Sequence, residues 1–176
     1  MKSLGNMTKE EKDLLILDLS ARSPYNVKVH NITFKDPQIQ TLKGVIGDEC
    51  VMQETYLETS GHSVSRTKNY SGLIEFVKPY LRPMSSMTEE EKKEMLAIFE
   101  QPCENPRLEV DEYCSITYTK YAESHRVIDM YYDAEQQAEW LDWLNKHHFD
   151  YRGLIPKGLA LEAPEGMYDK KDYSGI

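Results

Sequence analysis

The chain has 176 residues, enough for one domain, or two small lobes, with a working core and no need of disulfide or metal staples. Apolar residues make up 40% and charged residues 29%, the balance of an ordinary globular protein and not of a disordered one. Thirty acidic against 21 basic residues leave a formal charge of −9, and no lysine or arginine run overrides it, which argues against direct nucleic-acid binding. Cys50, Cys103 and Cys114 form no C-x-x-C pair, so a disulfide scaffold and a zinc knuckle are both disfavoured and reduced thiols are expected. The start, MKSLGNMTKEEKD, lacks the apolar stretch of a secretory signal, and no apolar run nears the roughly 18 residues of a membrane span. A cytoplasmic protein without a membrane partner is expected.

Taken in chain order, MTKEEKDLLILDLSAR opens the first element. Thr8 followed by Glu11 spells a capping box, and Glu10 and Glu11 suit the positive end of a helix dipole. Leu14, Leu15, Ile16, Leu17 and Leu19 predict a helix packed on most sides, with Asp18 either paired or at the edge of burial and Pro24 closing the element. Residues 26–35, 38–47 and 49–59 then read as short strands, punctuated by Asp36-Pro37 and Gly47-Asp48. The polar stretch 60–71 reads as an exposed loop or hairpin tip, and 72–81 as a further strand ending near Pro79.

The hexamer MTKEEK returns 80 positions later as MTEEEK, again with threonine and glutamate at cap spacing, Thr88 and Glu91. Both are read as helix starts, and because the sequences diverge afterwards no internal duplication is inferred. The second helix runs over 88–101 to Pro102. A strand is expected over 110–121, paired with 125–132, and then a helix from Asp133 that puts Trp140, Leu141, Leu144 and His148 on one face with Trp143 at its flank. From Asp150 glycines and prolines deny long regular structure, yet Phe149, Tyr151, Leu154, Ile155, Leu159 and Leu161 are residues a free tail should not expose. This tail is therefore expected to pack on the body, with Tyr151 and Leu154 substantially buried and Arg152 paired to an acid.

The sharpest polar cluster is HHFDYRGL, where a helix gives way to a loop. His147, His148 and Asp150 are the candidate catalytic residues, since two imidazoles and a carboxylate can move protons or hold a metal; Tyr151 and Arg152 are the candidate binding residues. Adjacent histidines on a helix diverge by about 100°, so the structural reading is the stronger one: imidazoles suit a helix C-terminus. His125 with Asp129 on one strand face, the acids Glu54, Glu58, Glu109, Asp111 and Glu112, and the tyrosines Tyr113, Tyr118, Tyr121, Tyr131 and Tyr132 are weaker candidates. No G-x-S-x-G, Walker A, G-x-G-x-x-G or H-E-x-x-H motif is present. No cofactor and no metal is expected.

Two blocks, VKPYLRPMSSMTEEEK at 77–92 and HHFDYRGLIPKGLALEAPEGMY at 147–168, resemble a family of short proteins of gut-bacterial genomes associated with prophage-like or mobile DNA. With the N-terminal helix they cover about half the chain. The resemblance implies a bacterial, phage-associated setting and carries no catalytic residue with it. The expected fold class is α+β: an N-terminal helix and a small antiparallel sheet or partly open barrel over 1–83, a helix-containing second half over 84–169 packed on it, and a frayed end at 170–176. The expected function is that of a non-enzymatic accessory or regulatory protein binding another protein. The alternatives are a small hydrolase or metal-dependent enzyme using the 147–150 cluster, and an acidic inhibitor that mimics DNA.

Overall fold

In the computed structural model, which describes residues 7–33, 39–58, 64–98, 107–110, 116–119 and 134–168, helix α1 (Lys9–Arg22) starts at Thr8. Thr8 Oγ1 accepts from the Glu11 N–H at 3.2 Å, and Glu11 returns a carboxylate oxygen to the Thr8 N–H at 3.0 Å, so the expected capping box is formed. The helix is not packed on most sides. Leu15 and Leu19 are fully buried while Leu17 is 57% exposed, because α1 lies against one face of a sheet and offers it a single stripe. Asp18 and Arg22 enter that stripe together, one turn apart, joined by hydrogen bonds of 2.8 and 3.0 Å.

The sheet holds β1 (Lys28–Asn31), β2 (Ile39–Ile46), β3 (Glu49–Glu58), β4 (Val64–Leu73) and β5 (Val77–Leu81), joined late in the chain by the short Leu161–Glu162 strand. The spatial order is β4-β3-β2-β1-β5 and then Leu161–Glu162, which pairs in parallel with β5, Tyr80 opposite Leu161. The fold is α+β as expected. The sheet is open and mixed, correcting the barrel alternative and the purely antiparallel reading; the parallel edge is made by a segment that returns after a long excursion, which a hairpin cannot do.

Two local corrections, at Pro79 and within 60–71, and one local turn have physical reasons. Pro79 lies inside β5 instead of ending it. The Ile32 N–H donates to Phe76 O, so Phe76 and Lys78 direct their backbone groups at β1, and the missing Pro79 donor points to the opposite side, where pairing begins only at Tyr80. The buried position after Val29 is taken by Asn31, whose Oδ1 accepts from Thr33 N and Thr33 Oγ1 at 3.0 and 2.7 Å and turns the chain. Much of the polar stretch 60–71 is strand, not loop: β4 pairs with β3 over ten consecutive positions, and its lack of apolar period reflects exposure on both faces beyond the core.

Alternation fixes the two faces of the sheet. Val29, Leu42, Cys50, Met52, Val77 and Leu81 face α1 in one core. Lys28, His30, Ile39, Thr41, Gln53, Val51 and Lys78 face the other way, and a register shift between Leu42 and Gly44 lets Val45 keep to the core side while Ile46 turns outward.

The chain divides into two compact units: residues up to Leu81 with those from Leu154 onward, and Arg82–Gly153. The division expected at 83/84 had kept 84–169 together; here the segment from Leu154 is grouped with the N-terminal unit. In that unit Leu154, Leu159 and Ala160 join the α1–sheet core. Tyr168 Oη accepts from the Lys28 N–H and donates to Tyr80 O, both at 2.9 Å, tying the returning segment to β1 and β5.

The second unit contains α2 (Glu89–Ala97), β6 (Arg107–Val110), β7 (Ile116–Thr119) and α3 (Ala134–Lys146). The short Leu161–Glu162 strand, β8, belongs to the first unit. β7 falls inside the expected strand 110–121, but its partner is β6; 125–132, the partner expected, lies outside the described residues, with His125 and Asp129. Met84, Met87, Met95, Leu144 and Phe149 form this unit's core, with Trp140, Trp143 and Tyr151 packed on it. Leu141, expected on the buried face of α3, is exposed. No helix among the described residues is long and apolar enough to cross a membrane.

Candidate functional site

The five residues singled out by sequence all lie where α3 ends, and the way it ends decides what they do. His148 adopts φ 58°, its N–H donates to Asn145 O, and the Phe149 N–H donates to Leu144 O. This pair of bonds around a left-handed residue is a Schellman motif with histidine where glycine is usual. Leu144 and Phe149, the two positions that such a motif brings together, share the buried core.

Phe149 then pairs in parallel with Arg82: the Arg82 N–H donates to His148 O and the Asp150 N–H to Arg82 O, both at 2.8 Å. The side chains continue the stack. The Arg82 guanidinium lies 4.3 Å from the Phe149 ring centroid, Phe149 stacks on Trp143 at 5.7 Å, and Trp143 on His147 at 4.0 Å. Arg82 also grips Glu91 with contacts of 2.7 and 2.9 Å. Glu91 accepts from the Thr88 N–H at 2.9 Å, and Thr88 Oγ1 accepts from the Glu91 N–H at 3.2 Å, the second capping box.

His147 and His148 are both buried but differ in role. His147 Nδ1–H donates to Trp143 O at 2.8 Å, leaving Nε2 directed at Glu94 Oε2 3.9 Å away, beyond hydrogen-bond reach. Burial pushes the His147 imidazole below its usual range, against the Trp143 carbonyl and the charges of Glu91 and Glu94, which pull the other way. Burial also works to raise the Glu91 carboxyl, but the Arg82 guanidinium and the Thr88 N–H outweigh it, so Glu91 titrates below the ordinary carboxylate range. His148 and Asp150 contribute backbone groups to the pairing with Arg82.

Tyr151 is half-buried and Leu154 fully so. Tyr151 Oη donates to Asn145 Oδ1 at 2.9 Å and accepts from Arg152 Nη2 at 2.8 Å, and the Arg152 guanidinium lies 5.0 Å from the Tyr151 ring centroid. Phenol and guanidinium thus brace each other across adjacent positions.

The cluster is brought together, then, but as a buried joint more than an open site. Among the described residues no group of three His, Cys, Asp or Glu side chains stands where it could hold a metal ion. Cys50 is a buried thiol that desolvation raises to about 12, far from a reactive thiolate; Cys103 and Cys114 lie outside the described residues. Sequence reasoning missed Arg82, Trp143 as a stacking partner, and the double duty of Glu91. Only Glu91 left a local signal, the cap spacing, and that says nothing of Arg82. Compared with protein-family models, with curated proteins and with solved structures, the chain matches none of them.

Proposed function

We propose that this chain is a non-enzymatic accessory or regulatory protein that acts by binding another protein, in the bacterial cytoplasm and in the setting of a phage-like or mobile element that the two sequence blocks suggest. The observation that carries this is on the outer face of the sheet. Ile46, 72% exposed, and Leu73, 40% exposed, flank Glu49 in one cross-strand row, with Val51 in the row beside it. Large apolar side chains held outward on a rigid sheet make a surface suited to a partner. The alternative use of His147, His148 and Asp150 in a hydrolase or metal enzyme draws less support, since these groups are buried and engaged in stacking and backbone pairing. The test is capture from the native host with wild-type bait and with an Ile46→Asp, Leu73→Asp bait of unchanged melting temperature. Loss of a wild-type prey from the variant supports the proposal; equal capture by both baits overturns the assignment of the outer face.

A further inference from the structure

We infer that the open edge of β4 receives an extended, acid-bearing segment of another protein as an added strand. This rests on the partner-binding reading and names the chemistry of the partner. The direction of the backbone groups follows from the ladder with β3. The Ile74 N–H donates to Asp48 O at 2.9 Å, and the pairing runs without a slip from Glu49–Leu73 to Glu58–Val64. In an antiparallel ladder the backbone groups of successive residues point alternately to either side. Gly72, Tyr70, Lys68 and Arg66 therefore address β3, and Ser65, Thr67, Asn69, Ser71 and Leu73 direct N–H and C=O away from the sheet. β4 is the terminal strand, and among the described residues nothing pairs with that edge.

Natural sheets blunt exposed edges with bulges, prolines or charged side chains; β4 has no bulge and no proline, and its charges are two cations, which turn away neutral and basic strands but not acidic ones. Strand addition is a known mode of recognition: main-chain hydrogen bonds supply affinity, and alternate side chains supply selectivity. Selectivity here comes from charge. The strand VSRTKNYSGL has two cations, Arg66 and Lys68, and no carboxylate, in a chain of net charge −9. Glu54, the residue across from Lys68, is engaged by Tyr70 Oη at 2.8 Å, and Lys68 Nζ lies 4.8 Å from the Tyr70 ring centroid. An added strand with acids at alternate positions would set them beside Arg66 and Lys68, the favourable cross-strand arrangement. A second copy of β4 would instead bring four cations into two neighbouring strands and two chains of −9 together, so the occupant is foreign. Leu73, exposed at the end of β4, offers an apolar residue of that segment a place at the end of the edge.

The experiment titrates the full chain with a labelled ten-residue peptide of alternating glutamate and threonine or valine, and with its lysine counterpart, read by fluorescence anisotropy. The glutamate peptide should bind at least about tenfold more tightly. Thr67→Pro, which removes one outward N–H and no bond to β3, should abolish binding while the melting temperature holds. Arg66→Glu combined with Lys68→Glu should reverse the preference, which keeps the test decisive if the proline variant misfolds. Equal binding of the two peptides, no binding, or an unaffected Thr67→Pro variant overturns the inference. So does a dimer seen by light scattering that Thr67→Pro disrupts, since a second copy would then be the occupant. A native prey that survives Thr67→Pro but is lost with Ile46→Asp, Leu73→Asp would sink the edge inference alone and leave partner binding standing.

Discussion

Arg82 and Glu91 meet through two parallel contacts of 2.7 and 2.9 Å, and the same carboxylate closes the capping box on Thr88. The second capping box is wired to the Phe149–Trp143–His147 stack through Arg82. Thr88→Ala should cost about 0.5–2 kcal/mol by loss of the cap. Glu91→Ala should cost more, about 3 kcal/mol, because it also leaves a largely buried guanidinium without its carboxylate. Urea unfolding of the two variants checks the order; equal losses would mean that the ion pair adds nothing to the cap.

Acid should weaken the second unit through Glu91. Its folded pKa lies below the ordinary 4.5, so its stabilisation is complete above that value and is lost as pH falls through the lower folded value. Glu91→Gln should flatten the stability profile below about pH 4.5 relative to wild type.

His147 acts at milder pH. Its folded pKa is depressed below 6.5, so the unfolded chain binds more protons between the two values; stability should be level above 6.5 and should decline as pH falls from there toward the folded value. His147→Gln should remove that decline. Proton NMR of the imidazole would check the direction, and a midpoint at or above 6.5 would contradict the burial account.

Gly72 leaves room for the Asn31 side chain. A Cβ there would stand 2.8 Å from Asn31 Nδ2 and 3.3 Å from Met52 Cε. Met52 can bend aside, but Asn31 is held by Thr33. Gly72→Ala should therefore cost about 1–3 kcal/mol. Adding Asn31→Ala should recover part of that loss, a non-additivity that a double-mutant cycle measures.

The returning segment is part of the first unit's fold. Leu154→Ala should cost about 2–5 kcal/mol, since Leu154 is fully buried in the α1–sheet core. Tyr168→Phe removes the hydroxyl shared by Lys28 N and Tyr80 O, for about 1–3 kcal/mol. A chain ending at Asn145 should unfold or aggregate; an unchanged melt would detach the segment from the fold.

What the sequence determined by itself was local. Thr8 with Glu11 and Thr88 with Glu91 mark helix starts because cap chemistry is complete within four residues. The hairpin at Gly47-Asp48 and the α+β class follow from spacing and turn residues in the same way. Tertiary structure decided everything that depends on partners far along the chain. It buried the Asp18–Arg22 pair in the core, allowed Pro79 inside a strand by turning its missing donor outward, and brought a late segment back in parallel beside β5. The candidate site shows the same division. HHFDYRGL was visible as a helix end with reactive groups, but His147 is buried with its ring stacked on Trp143, and the His148 carbonyl is taken by the N–H of Arg82, more than sixty residues upstream. Short-range hydrogen bonding is written in neighbouring residues; burial and charge pairing are properties of which surfaces the folded chain brings together.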